Sequence, residues 1–95
     1  MVAIRRLVLD VLKPHDPAMV ELARRVAAID GVAGVNLSVV EIDREVENVK
    51  LTVEGDEIDY AGVRECIDEF GASIHSVDEL ACGELLVEAG ETPQD

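Results

Sequence analysis

The order of strand and helix patterns along this chain is the feature that most limits its fold. In residues 3–12, AIRRLVLDVL, positions 7, 9 and 11 are all apolar, and the opposite face carries Ile4, Val8 and Leu12. A strand that is apolar on both sides is usually central in its sheet. The pattern therefore predicts that the chain begins with a central strand.

Two helical patterns follow, each with start and stop signals. Asp16 before Pro17 is typical of an N-cap followed by the first helical residue, and Gly31 is placed to end that helix. Apolar residues recur between them at helical spacing. A second helix is predicted from the Asp59 cap to Gly71.

Three further strands complete the pattern: residues 31–43, residues 48–55, and SIHSVDEL, which can extend through ACGELLV. In the first of them Val40 and Ile42 take the parity opposite to the preceding valines, which predicts either a bulge or a strand covered on both faces. The order is strand, helix, strand, strand, helix, strand. It predicts an α+β fold, the ferredoxin-like sandwich, with two helices on one face of a four-stranded antiparallel sheet and the first and third strands in the middle.

Composition limits the class of protein. Ninety-five residues, 48% of them apolar, predict a single domain over residues 1–87, followed by a flexible acidic tail over residues 88–95. Aromatic residues make up 2% of the chain, so the core must be aliphatic and a base-stacking surface has no rings.

Charge limits the partners. Twenty-one acidic against eight basic residues give a net charge of −13, which repels phosphate backbones and argues against nucleic acid as a partner. We interpret the acidity mainly as adaptation to high salt. Cys66 and Cys82 stand in no metal-binding pattern, and no stretch resembles a signal peptide or a membrane span. A reduced, cytoplasmic setting is expected.

The open face of the predicted sheet is the first candidate site. Ile4, Val8 and Leu12 would be exposed there, more large aliphatic residues than chance placement on a surface explains. We expect this face, or the sheet edges, to form a homo-oligomer interface. The alternative is a monomer with a few exposed aliphatic side chains.

A second candidate is a cation site. Glu41, Asp43, Glu45 and Glu47 alternate along one stretch, about 7 Å apart if it is extended, and Asp10 lies in the middle of the first strand. Calcium and magnesium bind converging carboxylate oxygens, so Asp10, Glu41 and Asp43 are the candidate ligands, aided by a second subunit. The alternatives are a solvated strand face and a surface ion pair. No other cofactor is expected.

The loop LKPHDP is the third candidate. Lys13 and His15 stand next to the start of the first helix, where a small anion is favoured, although Asp16 competes for the same positive end. No phosphate loop, nucleophile elbow or metalloprotease motif occurs, so we predict that the protein is not an enzyme.

Four segments carry a resemblance: IRRLVLDVLKPHDP, GVNLSVVEIDREVENVKLTVEG, IDYAGVRECIDEFGASIHSVDEL and the following ACG. Over residues 3–87 the chain closely resembles the small archaeal family of domain of unknown function 211. The resemblance implies a ferredoxin-like fold, an archaeal cytoplasmic source and assembly into oligomers, and it brings no activity. It draws attention to Asp10, Lys13, Pro14, His15, Glu41, Asp43, Glu47, Asn48, His75 and Asp78.

The leading hypothesis is a non-catalytic, self-associating module whose subunit contacts are linked by cations. The alternative is a regulatory domain that binds a small anionic metabolite between subunits. Neither a membrane nor a nucleic acid is expected as a partner.

Overall fold

A computed structural model of the chain describes residues 2–89. The elements are β1 (Ile4–Pro14), α1 (Met19–Ala27), β2 (Val32–Ile42), β3 (Val46–Gly55), α2 (Tyr60–Glu69) and β4 (Ser73–Cys82). The strands form one antiparallel sheet in the order β2-β3-β1-β4. This confirms the predicted α+β ferredoxin-like fold, with β1 and β3 in the middle.

The hydrophobic core lies on one face of the sheet, under the two helices. The central strands contribute alternate residues, which pair across the β1–β3 ladder as Leu7 with Val53 and Leu9 with Leu51. The helices contribute Leu22, Val26, Val63 and Ile67, and Phe70 follows as the C-cap of α2. Burial of each such aliphatic side chain is worth roughly 1.5–3 kcal/mol. The core is aliphatic, as the composition predicts.

The first helix begins later than the sequence predicts. Ala18 is the N-cap in extended conformation, and its carbonyl accepts a hydrogen bond from the Glu21 amide at 3.0 Å. The prediction that Asp16 caps α1 is therefore wrong, because Asp16 lies two positions before the cap residue. For α2 the predicted cap is confirmed, since the Asp59 carboxylate accepts a hydrogen bond from the Gly62 amide at 3.1 Å.

Register shifts in the ladders decide two of the predicted strand faces. In β2 the register shifts between Val39, opposite Val49, and Glu41, opposite Asn48, so the predicted bulge near Val40 is confirmed. In β1 the register against β4 shifts between Ile4 and Arg6. A bulge changes which side of the sheet a residue faces, and Ile4 packs against the core. The prediction that Ile4 lies on the open face is wrong.

The strands are much longer than the helices that cover them. α1 and α2 have nine and ten residues, which gives each a length of about 14–15 Å, whereas the strands of 10–11 residues reach roughly 33–36 Å. The helices therefore cover only part of the sheet. Strand ends extend past them, above all at the β2–β3 hairpin.

The segment after β4 returns towards the open face of the sheet. The Gly83 amide donates to the Ala3 carbonyl at 2.9 Å, and the Arg5 guanidinium donates to the Glu84 carbonyl at 2.8 Å. Glu88 then contacts Arg6. Of the tail predicted over residues 88–95, residues 90–95 lie outside the described part of the chain. Within residues 2–89, no helix has the length and hydropathy needed to cross a membrane.

Candidate functional site

A buried lysine marks one end of the sheet. Lys13 has the same parity in β1 as the core residues, and its side chain is 0% exposed. Its ammonium donates to the Pro14 carbonyl at 2.7 Å, to the Glu47 carboxylate at 3.0 Å and to the His15 carbonyl at 3.4 Å. A buried ammonium is costly unless its protons are bound, and these acceptors bind them.

His15 completes the cluster from the loop between β1 and α1. Its Nδ1 lies 3.0 Å from Glu47 Oε2, and its Nε2 lies 2.9 Å from the Arg44 carbonyl. A carbonyl only accepts, and so does an ionised carboxylate. The hydrogen bond to Glu47, followed by the one to the Arg44 carbonyl, raises the pKa of His15. In turn, the hydrogen bonds from His15 and then Lys13 lower the pKa of Glu47.

This geometry bears on the predicted anion site at Lys13 and His15. The structure does bring the two residues together, and the anion between them is the Glu47 carboxylate of the same chain. A free anion would have to displace this internal carboxylate. The sequence shows Glu47 in the acidic row, but its pairing with the loop follows from the β1–β3 register, in which Lys13 lies opposite Glu47.

A second charge cluster lies on the open face, around Arg6. Its guanidinium contacts Glu54 of β3 at 2.7 Å, Glu79 of β4 at 3.2 Å, and both carboxylate oxygens of Glu88 at 2.8 and 2.9 Å. These contacts, led by Glu88, raise the pKa of Arg6 further above its usual range, and Arg6 lowers the pKa of Glu88. The carboxylates are between 40% and 68% exposed, so water weakens each pair.

Asp10, on the open face, has a buried carboxylate oxygen. It pairs with Lys50 of β3 and Ser76 of β4, yet within residues 2–89 its buried Oδ1 atom has no hydrogen-bond partner. A buried carboxylate oxygen without a donor needs an explanation, such as a bound ion or a partner group.

The three predicted cation ligands do not converge within one chain. Glu41 is on β2, which β3 separates from the strand of Asp10, and the Asp43 carboxylate accepts the Arg44 amide in the turn at 2.7 Å. The described residues contain no group of three metal-binding side chains placed to hold one ion. The cation site therefore stays a prediction that requires a second subunit.

The predicted interface residues on β1 are less exposed than expected. Val8 is 5% exposed and Leu12 is half-buried. Four exposed aliphatic residues lie instead at the β2–β3 hairpin, namely Val39, Val40, Ile42 and Val46, while the other exposed ones are spread over β4, α1 and the two ends of the described chain. We call these four residues the hairpin end. The sequence signal for it was the parity change at Val40, which predicts a bulge but does not show that the helices stop short.

Two comparisons identify the family. The model of the family with domain of unknown function 211, described as "uncharacterized ArCR", matches residues 5–95. An uncharacterized protein of the archaeon Methanocaldococcus jannaschii, MJ0319, is 45% identical over 95 residues, which span 100% of this chain and 98% of that protein. The chain belongs to the archaeal family of domain of unknown function 211, as its sequence motifs predict.

Proposed function

We propose that this protein is a non-catalytic module that self-associates through the hairpin end, with a second copy as its partner. The observation that carries the proposal is the exposure of that apolar set: Val40 and Ile42 are each 64% exposed on the same strand. Several exposed aliphatic side chains grouped at one end of a sheet are typical of an interaction site.

The position of the hairpin end in the sheet supports the choice of partner. β2 is an edge strand, so its outer backbone groups can pair with another strand. From residue 32 to 40, VAGVNLSVV, it carries neither a charge nor a proline that would prevent such pairing. A second copy offers the same long uncharged edge, which makes the contact self-complementary.

Charge explains why cations would be linked to this association. Two copies, each with a net charge of −13, repel one another when salt does not screen them. A divalent cation, calcium or magnesium, would offset that repulsion where carboxylates of two subunits meet. Asp10, with its unpartnered oxygen, and Glu41 on the same face are the ligands that we propose.

Light scattering in high salt tests the apolar part of the proposal. The wild-type chain is expected to give one defined oligomer, and the double variant V40S/I42S is expected to give monomers. The matched control is V20S, since Val20 on α1 is 61% exposed and serine leaves the net charge unchanged. A monomeric wild-type chain in high salt with calcium or magnesium, or an equal effect of V20S, would contradict the proposal.

The cation part has its own measurement. If cations link the subunits, chelation lowers the mass of the wild-type oligomer, and D10N is insensitive to added calcium. An oligomer that is indifferent to chelation rules out the cation link and leaves apolar packing as the cause of association. The alternative function, binding of an anionic metabolite at Lys13 and His15, has less support because Glu47 already occupies those donors.

A further inference from the structure

One imidazole ring joins two parts of the chain that are distant in sequence. His15 belongs to the loop between β1 and α1, while its two acceptors, Arg44 and Glu47, belong to the β2–β3 hairpin. Lys13, at the end of β1, also holds this loop, because its ammonium donates both to the His15 carbonyl and to the Glu47 carboxylate. The hairpin is thus fastened to the loop by two cationic side chains that share one carboxylate.

The ring can donate to both of its partners in only one protonation state. Because the Arg44 carbonyl and the Glu47 carboxylate are both acceptors, the ring satisfies both only when each nitrogen carries a proton. Neutral imidazole has a single N–H and can donate to one of them. We propose that His15 is a pH-operated latch, which fastens the β1–α1 loop to the hairpin as an imidazolium and releases one of the two contacts on deprotonation.

The charged groups around the ring determine which contacts break when His15 loses its proton. Glu47 faces it from β3, Lys13 lies beyond Glu47 on β1, the Asp43 and Arg44 backbone lies in the turn, and Asp16 follows in the loop. When His15 loses its proton, Glu47 keeps its contact with Lys13. The buried ion pair therefore survives, and the opening is limited to the loop and the turn.

The direction of the pH dependence follows from the raised pKa of His15. A group with a higher pKa in the folded chain stabilises it fully below the ordinary value of about 6.5. That stabilisation is lost as pH rises through the higher folded value. The latch holds the turn that precedes Val46, a residue of the hairpin end. It acts within one chain, so it does not depend on self-association.

Hydrogen–deuterium exchange with mass spectrometry tests the latch at any oligomeric state. Exchange at the His15 Cε1 position gives the protonation midpoint, which is expected above about 6.5. Backbone exchange of residues 40–47, corrected for the chemical rate, is expected to become about tenfold faster above that midpoint, the factor for one lost hydrogen bond. H75Q, which removes the other histidine, should behave as wild type, whereas H15Q should show no such step.

Two results would overturn the latch. One is a His15 midpoint at or below the ordinary value, and the other is a hairpin exchange rate whose pH dependence is the same in wild type and H15Q. H15Q is expected to fold because Lys13 and Glu47 stay paired. If H15Q does not fold, the H75Q variant alone tests the latch, because the exchange rate of its hairpin must change at the pH of the His15 midpoint.

Discussion

The two charge clusters of this chain are built from similar groups in different surroundings. At one end of the sheet, Lys13 is 0% exposed and Glu47 is 16% exposed. On the open face, Arg6 is 15% exposed and its nearest carboxylate, Glu54, is 51% exposed. Coulomb attraction weakens strongly where water has access. The Lys13 cluster should therefore matter for the stability of the fold, and the Arg6 cluster mainly for local order.

The difference follows from which face of β1 each residue takes. Lys13 has the parity of the core residues, so it is covered by the chain, whereas Arg6 has the opposite parity and no helix lies over it. More ion pairs therefore do not mean more stability. Arg6 contacts three carboxylates and Lys13 contacts one, yet the burial of Lys13 makes its single partner harder to replace.

Replacement of the buried lysine should have the largest effect. K13M keeps the length of the side chain but leaves Glu47 and the loop carbonyls without their donor. We expect the free energy of unfolding to fall by about 3 kcal/mol, measured by urea denaturation in high salt. K50M is the matched control, since Lys50 is exposed on β3, and its effect should stay within about 0.5 kcal/mol. Equal losses for the two variants would show that the burial of Lys13 adds nothing to its contribution.

The pH dependence of stability is expected to show two edges that belong to the buried cluster. The lowered pKa of Glu47 stabilises the fold above the ordinary carboxyl value, and this is lost as pH falls through the lower folded value. The raised pKa of His15 adds a loss as pH rises through its folded value. Below about pH 8, where the thiols stay protonated, denaturation should show both edges in wild type, while H15Q lacks the alkaline one. A loss of stability in H15Q between about pH 6.5 and 8 would contradict this.

Removal of the exposed cation should loosen one segment and leave the fold nearly intact. R6Q deprives Glu88 of its partner, so residues 84–89 should exchange their amide hydrogens faster than in wild type. Hydrogen–deuterium exchange of that peptide measures the effect, and R24Q, at an exposed arginine of α1, is the control. A global loss of stability in R6Q as large as that of K13M would show that the open-face cluster is structural.

The effects of the R6Q and K13M substitutions should depend differently on salt concentration, and this difference is the smallest that we expect. The screening length falls from about 10 Å at 0.1 M to about 3 Å at 1 M, so the difference in exchange between R6Q and wild type should shrink. The stability difference between K13M and wild type should hardly change, because buried pairs are screened little. Denaturation and exchange at the two salt concentrations measure both differences. Salt sensitivity of the K13M difference would indicate that water reaches the lysine.

The sequence by itself determined the order of elements, the aliphatic core and the family. These features depend on local periodicity, on turn and cap residues such as Asp59, and on motifs that need no knowledge of distant contacts. It also indicated the bulge near Val40, because a change of parity within a strand has few explanations. Simple alternation assigned Ile4 to the wrong face of the sheet, because the bulge beside it becomes visible only in the β1–β4 register.

Only the tertiary structure decided which charges are buried and which aliphatic residues are exposed. Lys13 and Glu47 are 34 residues apart, and the β1–β3 register places them opposite one another. The exposure of the hairpin end depends on helices too short to reach it, and the covering of Val8 depends on how the chain packs around the open face. Periodicity gives the side of a strand on which a residue lies, but what covers that side is a long-range property.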